Sequence, residues 1–133
     1  MSDIVVETAP VTEKIWGLEV ECACVPDENY TAKLLVINPG FTSSIHYHKV
    51  KHETFYVLQG NVILSTYCTG VLAGGYMNTK LDTKMSLVPG QRVVIPPMTV
   101  HSFRATVPSV IVEGSTLHSD DDVYRYSQSR RLP

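Results

Sequence analysis

The sequence lacks the features that mark secreted proteins and proteins with membrane-spanning helices. It has three cysteines in 133 residues, an odd number that is too low for a disulfide framework. Cys22 and Cys24 have no further zinc ligands nearby. No apolar run approaches the roughly 20 residues needed to cross a bilayer, and the first ten residues lack the basic and apolar regions of a signal peptide. We therefore expect a cytoplasmic protein with reduced thiols and no membrane partner.

An excess of one charge sign is also lacking. Lys and Arg total 11, Asp and Glu total 13, and the formal net charge is −2. Because the two signs are interspersed, we do not expect a nucleic-acid partner. Hydrophobic residues make up 44% of the chain, enough to build one compact core. The composition predicts a single domain over residues 1–133.

Helical periodicity of any length is missing as well, which predicts an all-β fold. Short runs rich in Val, Ile, Tyr, Phe and Thr alternate with turn residues. The runs expected to form strands are LEVECACV, TAKLLVI, SSIHYH, TFYVLQG, NVILSTY, RVVIP, HSFRATV and SVIVEGS. We expect N-terminal strands within residues 4–37, a long loop or irregular hairpin over 70–85 with a turn at Gly74–Gly75, and a polar tail over 118–133 that packs on a partner.

Histidines and a carboxylate form the clearest chemical pattern in the chain. His46 and His48 lie two residues apart on a predicted strand, so both rings project from one face. Glu53 begins the next apolar run, and a hairpin across the short gap brings its carboxylate beside the imidazoles. Two imidazoles and a carboxylate suit a divalent transition metal, which also explains polar side chains that point into a barrel.

The segment that holds this cluster resembles the first motif of the cupin superfamily, G-x5-H-x-H-x4-E-x6-G. Every position of that motif matches over residues 40–60: Gly40, His46, His48, Glu53 and Gly60. The resemblance implies a double-stranded β-helix, which is a jelly-roll β-barrel. It also implies one divalent metal ion, either zinc, manganese, nickel or iron.

Residues 90–105 resemble the second cupin motif, G-x5-P-x-G-x2-H-x3-N. Its matching positions are Gly90, Pro96 and His101. The resemblance makes His101 the fourth metal ligand. Met98 replaces the motif's glycine and Ala105 its asparagine. A methionine fits this turn if the backbone avoids positive φ, so we expect negative φ at Met98.

Strand alternation predicts which other side chains face the pocket. Phe55 and Phe103 follow the inward phase and are expected to contact the substrate. Lys33 shares a strand face with two apolar residues, and either reaches the barrel mouth to bind a phosphate or carboxylate of the substrate or extends along the strand end. Glu113 is in phase with Ile111 and is the candidate catalytic acid or base, and Glu53 is the alternative base if it leaves the metal.

Other polar residues near the motif are expected to face solvent. His52 points outward by alternation. Lys49 and Lys51 alternate on the connection after His48 and are interpreted as a solvated face. His118 belongs to the segment HSDDD, which reads as a solvated loop whose Asp side chains cap backbone N–H groups.

Three functions fit this site, and the sequence does not choose between them. The segments around Trp16–Gly17, Lys33 and KVKHE are similar to small cupins related to type II mannose-6-phosphate isomerases and other sugar isomerases. That resemblance implies a sugar-like ligand and metal-dependent isomerisation. The alternatives are an iron-dependent oxygenase and a non-catalytic metal-dependent binding protein. Because a jelly roll leaves sheet edges to cover, we also expect a homodimer.

Overall fold

The computed structural model describes residues 3–71 and 77–133, and these residues form strands with two short 3-10 turns. The strands are β1 (Val11–Lys14), β2 (Gly17–Val25), β3 (Tyr30–Ile37), β4 (Phe41–Thr42), β5 (His46–Tyr47), β6 (Glu53–Gln59), β7 (Val62–Val71), β8 (Met77–Leu87), β9 (Arg92–Ile95), β10 (His101–Ala105), β11 (Ser109–Ser115), β12 (Tyr124–Arg125) and β13 (Arg130–Arg131). The 3-10 turns are Pro26–Glu28 and Asp120–Asp122. The all-β prediction is confirmed. Within the described ranges, no helix is long and apolar enough to cross a membrane.

Two antiparallel sheets face each other. The first has the strand order β1-β2-β3-β11-β6-β9. The second has the order β12-β5-β10-β4-β13, and the β7–β8 hairpin joins it through β10. Strands distant in sequence are therefore neighbours in both sheets, as in a jelly roll.

The core lies between the inward faces of the two sheets. Trp16 packs edge-on against Phe103 with ring centroids 5.1 Å apart, and Phe103 packs edge-on against Phe55 at 5.9 Å. Aliphatic side chains from both sheets complete the cluster, among them Leu35, Ile37, Val57, Leu64 and Ile111. Aromatic pairs in this geometry stabilise a core beyond their buried area.

Gly60 of the first motif occupies a position that other residues cannot take. Its φ is 88°, and a Cβ there would lie 2.1 Å from the Ser109 Oγ and 2.6 Å from the Pro108 carbonyl oxygen. The turn between β6 and β7 therefore requires glycine for its backbone conformation and for space.

The structure corrects one expectation about the chain's organisation and selects between two alternatives for another. Residues 4–10 are not strand, since the first strand begins at Val11. Residues 77–87 form a strand, β8, that pairs with β7 in a long hairpin with a register shift at Thr66–Tyr67, so the irregular hairpin and not the loop is present. The expected Gly74–Gly75 turn lies outside the described residues.

The polar tail was predicted to pack on a partner, but it packs on its own barrel. β12 pairs with β5, and β13 pairs with β4. The Tyr124 ring also stacks on Tyr47, with centroids 5.0 Å apart. The tail therefore extends the second sheet at both of its ends.

Met98 contradicts the expectation of negative φ, because its φ is 69°. Its side chain is 61% exposed, and its backbone N–H donates to the His48 carbonyl oxygen at 2.7 Å. The hydrogen bond joins the turn before His101 to the strand end that carries His48. A left-handed methionine costs about 1–2 kcal/mol relative to ordinary backbone.

We expect Met98→Gly to raise the free energy of unfolding by about 0.5–1 kcal/mol. Glycine removes the left-handed penalty and keeps the N–H bond, but it adds backbone entropy to the unfolded chain. Urea unfolding of the wild type, Met98→Gly and Met98→Ala measures the effect. Met98→Ala keeps the penalty and is not expected to stabilise, so an alanine variant as stable as the glycine variant would contradict the argument.

Candidate metal centre and pocket

The inward face of the first sheet changes from apolar to charged along its strands. β3 runs from Ile37 and Leu35 to Lys33, and β11 runs from Ile111 to Glu113. β6 begins at Glu53, which pairs with Ser115 beyond Glu113. All three charged residues are buried. Because the registers align them at one end of the barrel, the apolar end forms the core and the charged end forms a pocket.

The three motif histidines converge at this charged end. His46 on β5 is paired directly with His101 on β10, and their ring centroids are 4.5 Å apart. His48 follows β5, with its ring centroid 5.2 Å from that of His46 and 6.3 Å from that of His101. The prediction that these residues come together from two distant segments therefore agrees with the structure.

Each histidine is oriented by a backbone carbonyl oxygen at its Nδ1. His46 Nδ1 lies 2.9 Å from the Ser44 oxygen. The corresponding distances are 2.8 Å from His48 to Asp122 and 2.8 Å from His101 to Thr99. Since a carbonyl oxygen only accepts, each Nδ1 carries a proton, and in a neutral imidazole of this tautomer the free lone pair is on Nε2.

Glu53 lies among these Nε2 atoms. Its Oε1 is 3.7 Å from the His48 Nε2, and its Oε2 is 3.4 Å from the His101 Nε2. Burial opposes the charged form of Glu53, but contacts with His101 and the Lys51 ammonium outweigh it and hold the pKa well below its usual range. The carboxylate is therefore ionised at neutral pH.

His46 and His48 are neutral at the same pH. Burial is the main cause that lowers the pKa of His46 to about 3, and the neighbouring His101 lowers it further. Burial also lowers the pKa of His48, although Glu53 partly opposes this shift. Neutral imidazoles and an ionised carboxylate are the protonation states in which these side chains bind metals.

Lys51 was expected to be solvated, but it is only 4% exposed. Its Nζ lies 3.2 Å from the Glu53 Oε1 and 3.5 Å from the Glu113 Oε2. Burial disfavours the ammonium, but the two carboxylates outweigh burial and raise the pKa of Lys51. A buried cation thus joins the candidate metal ligand Glu53 to the candidate acid–base residue Glu113.

The segment that carries Lys51 is turned inward by Asp122. The Asp122 carboxylate accepts hydrogen bonds from the backbone N–H groups of Lys49 at 2.8 Å, Val50 at 3.1 Å and Lys51 at 2.9 Å. This confirms the expectation that an Asp of HSDDD caps backbone N–H groups. Lys49, in contrast, lies over the Tyr124 ring at 4.4 Å on the outside.

Glu113 is 5% exposed, and its side chain lies inward beside Lys51. Burial raises the pKa of Glu113 to about 7, and the Glu53 charge adds to the shift while Lys51 opposes it. A carboxyl with this pKa exchanges a proton readily at neutral pH.

His118 also reaches this cluster, which sequence reasoning missed. Its Nδ1 lies 3.4 Å from the Lys51 Nζ, and its Nε2 lies 3.0 Å from the Asp120 Oδ1. The carboxylate accepts from Nε2–H, so Nδ1 is free to accept from the Lys51 ammonium. His118 lies 65 residues beyond Glu53, so no local spacing links it to the histidine motif. Its position at the start of the acidic segment HSDDD was the sequence feature that singled it out.

The charged end of the barrel holds a cavity of about 380 Å³, within the range of small-molecule sites. The residues described above that line it are His46, His48, Lys51, Glu53, Glu113 and His118. Lys33 lies on its wall with its Nζ 3.6 Å from the Glu19 Oε2. Phe55 and Phe103 form part of the apolar wall, and Glu113 faces the same space. His52, expected to point outward, is exposed. The residues predicted to bind substrate thus surround one pocket, and their roles stay predictions.

Comparison with known proteins agrees with the fold and the motifs. Residues 27–127 match the model of a family described as "Cupin". The chain belongs to the cupin family. This cupin is 31% identical over 126 residues to a D-lyxose/D-mannose isomerase from Thermosediminibacter oceani, covering 82% of this chain and 68% of the relative.

Solved structures show the same fold at lower identity. The capsular polysaccharide assembling protein CapF from Staphylococcus aureus superposes with a TM-score of 0.68 and 18% identity, over 92% of this chain and 32% of CapF. KdgF from Halomonas sp. superposes with a TM-score of 0.65 and 21% identity, over 84% of this chain and 91% of KdgF. The double-stranded β-helix predicted from the two motifs is confirmed.

The polar atoms of the cupin pocket fit a divalent cation. Among residues 3–71 and 77–133, no three or more His, Cys, Asp or Glu side chains already stand in the arrangement of a formed metal site. However, the Glu53 Oε2 and the His101 Nε2 are buried without a hydrogen-bond partner. Buried polar atoms need a partner, and one cation beside them would satisfy both. His46, His48, Glu53 and His101 would hold it.

Proposed function

We propose that this cupin is a metal-dependent aldose–ketose isomerase. One observation carries the proposal: three histidines with anchored Nδ1–H groups face Glu53, and a buried Lys51–Glu113 pair lies directly beside them. A polarising centre next to a proton-transfer residue is the arrangement that aldose–ketose isomerisation requires. The relative that isomerises D-lyxose and D-mannose supports the same chemistry.

Aldose–ketose isomerisation moves one proton from C2 to C1 of an open-chain sugar and one between the two oxygens. Glu113 is the proposed base, because its carboxyl lies on the cavity wall and its pKa of about 7 suits both removal and return of a proton. A divalent ion bound at the site, whether zinc, manganese, nickel or iron, would act as a Lewis acid. The Lys51 ammonium would donate a hydrogen bond to the oxygen on which negative charge develops.

The buried charges beside the histidines favour a neutral sugar over a sugar phosphate, whereas the cations Lys14 and Arg125 line other parts of the cavity wall. Lys33 is paired with Glu19, and Lys51 is paired with Glu53 and Glu113. A phosphate dianion that approached Lys51 would lie beside two carboxylates and lose its solvation. A neutral polyol, in contrast, offers hydroxyl donors to these carboxylates without a charge penalty.

Activity assays on the metal-loaded protein test the proposal. The protein is stripped with chelator and reloaded with zinc, manganese, nickel or iron(II). It is then incubated with D-mannose, D-lyxose and D-mannose 6-phosphate. We expect ketose formation from the free aldoses and at least 10-fold lower kcat/KM for the phosphate. Oxygen consumption by the iron form would contradict the isomerase and support an oxygenase. Sugar binding without conversion would support a non-catalytic binding protein.

We also propose that the protein is cytoplasmic and acts as a homodimer. The free cysteines of the described residues suit a reducing compartment. The tail that was expected to pack on a partner lies on its own barrel, so the proposed homodimer rests on the sheet edges that a jelly roll leaves to cover.

A further inference from the structure

His118 lies where the pocket meets solvent. Its side chain is 30% exposed, and its hydrogen-bond partner Asp120 is fully exposed. The imidazole lines the same cavity as Lys51 and Glu113. Its ring stands edge-on to that of His48, with centroids 6.1 Å apart. His118 is therefore part of the pocket wall, although it has no role in the isomerase reaction proposed above.

The buried Lys51 ammonium has one acceptor for each of its three N–H donors. Its Nζ lies 3.2 Å from the Glu53 Oε1, 3.4 Å from the His118 Nδ1 and 3.5 Å from the Glu113 Oε2. Because Lys51 is 4% exposed, an N–H group without an acceptor would be buried at a cost in free energy. His118 supplies the third acceptor, from the side where the pocket opens.

Asp120 sets the orientation of the His118 ring. The Asp120 carboxylate accepts from the Nε2–H of His118 at 3.0 Å, which leaves Nδ1 as the acceptor for the Lys51 ammonium. Burial lowers the pKa of His118, and the Lys51 charge lowers it further. The ring is therefore neutral at neutral pH, the state in which Nδ1 has a lone pair to offer.

The backbone on both sides of His118 is attached to the segment that carries Lys51. The Thr116 N–H donates to the His52 carbonyl oxygen at 3.1 Å, and the Thr116 Oγ1 accepts from the His52 N–H at 3.0 Å. Beyond His118, the Asp122 carboxylate accepts from the Lys51 N–H at 2.9 Å. These contacts fix the two segments side by side, so the approach of His118 to Lys51 follows from the backbone of both.

We infer that His118 is a positioning residue that holds the Lys51 ammonium at the cavity and keeps one of its N–H groups directed toward the substrate. The inference rests on the proposed isomerase function, in which Lys51 donates to the oxygen where negative charge develops. Contacts of 3.4 and 3.5 Å are longer than ordinary N–H hydrogen bonds, so these N–H groups can also reach a substrate oxygen. Without its third acceptor, the ammonium would move deeper between the two carboxylates and away from the substrate.

Kinetics of D-mannose isomerisation by the manganese-loaded protein test the role of His118. His118→Leu removes the acceptor, and we expect kcat to fall by about 10-fold. KM should change by less than about 2-fold, because Lys51 acts on charge that develops only in the transition state. His118→Asn keeps an acceptor oxygen near the position of Nδ1 and should retain most of the wild-type kcat. His52→Ala is the matched control, since His52 is an exposed histidine, and it should leave kcat unchanged.

Asp120→Ala tests the same role from outside the pocket. Because Asp120 is fully exposed, its substitution leaves the fold intact even if His118→Leu does not fold. The freed ring should position Lys51 less well, and we expect kcat to fall by about 3-fold at unchanged KM.

Heteronuclear NMR of the full chain, labelled at its lysine side-chain nitrogens, gives a readout that does not depend on isomerisation. A buried, hydrogen-bonded ammonium exchanges its protons slowly with water, so Lys51 should give an N–H signal that Lys51→Met lacks. We expect His118→Asn and His52→Ala to keep this signal and His118→Leu to lose it.

The two readouts separate the failure of the inference from the failure of the proposed function. If the wild type converts no aldose, the isomerase proposal fails, and the lysine signal alone decides whether His118 holds Lys51. A folded His118→Leu variant with the wild-type lysine signal would overturn the inference. So would a kcat for His118→Asn as low as that of His118→Leu, or a raised KM at unchanged kcat.

Discussion

Glu113→Gln is expected to lower kcat for aldose isomerisation by about 10²–10⁴-fold, the contribution of a positioned general base. Glutamine has nearly the same shape as glutamate but cannot accept a proton from carbon. Glu113 lies 3.5 Å from the Lys51 Nζ and is 5% exposed, so the substitution removes the base without opening the pocket. We expect KM to change much less than kcat, because the amide still hydrogen-bonds a sugar hydroxyl.

The pH profile gives this prediction a second readout. The pKa of Glu113 is raised to about 7, and only the ionised carboxylate acts as a base. Wild-type kcat should therefore be highest above about pH 7 and fall as the pH drops through that value. Glu113→Gln should lose this limb of the profile, whereas Glu28→Gln on the exposed 3-10 turn should keep it. A variant with an unchanged profile and unchanged kcat would assign the proton transfer to another residue.

The fold and the histidine cluster could be predicted because their signals are local. In the first motif, His46, His48 and Glu53 stand at fixed spacing on one strand and the start of the next. Strand alternation then gives the inward direction of Glu113, because a period of two needs no knowledge of distant neighbours. His101 is 53 residues beyond His48 in the sequence, but its own motif made it a candidate.

Lys51 could not be placed from the sequence because its direction depends on a distant residue. Alternation from His48 suggested a solvated connection, but three backbone N–H groups there bind the Asp122 carboxylate, 71 residues away from Lys51. That contact turns the segment so that Lys51 points inward while Lys49 stays outside. A capping interaction between distant segments has no periodicity that a sequence window could detect.

The short strands of the tail were missed for a similar reason. β12 and β13 are two residues long each, and their pairing partners β5 and β4 lie about 80 to 90 residues earlier. Two residues carry no alternation signal. β8 was anticipated only as one arm of a possible irregular hairpin, because residues 77–87 contain Asn, Asp and two Thr-Lys pairs instead of a β-branched apolar run. Its pairing with β7 along its length, interrupted by one register shift, provides the stability that its own propensity does not.

The positive φ of Met98 was missed because the second motif's glycine is absent from this chain. A methionine at that position suggested a turn of different conformation, yet the turn keeps the left-handed backbone. The hydrogen bond from the Met98 N–H to the His48 carbonyl oxygen links the two motifs directly. The surrounding structure therefore determines this residue's conformation, as expected for a position whose backbone aligns two site residues.

His101→Ala is expected to lower the affinity for zinc or manganese by more than about 100-fold. The His101 Nε2 is buried without a hydrogen-bond partner, as is the Glu53 Oε2 that lies 3.4 Å from it. Loss of an outer partner of a metal ligand already costs about 10–100-fold in affinity. Loss of a ligand should cost more, because the remaining His46, His48 and Glu53 leave one side of the ion uncovered by protein.

The measurement is metal titration of the chelator-stripped protein, followed by calorimetry and by thermal unfolding. Metal that binds only the folded state raises the melting temperature of the wild type once the metal concentration exceeds the dissociation constant. The melting temperature of His101→Ala should not rise over the same range of metal concentrations. Circular dichroism of the metal-free variant separates a lost ligand from a lost fold. His52→Ala is the matched control, because His52 is an exposed histidine adjacent to Glu53 and should bind metal as the wild type does. If His101→Ala folds and still binds metal with wild-type affinity, the four side chains are not a metal centre, and the unpartnered Nε2 and Oε2 atoms require another explanation.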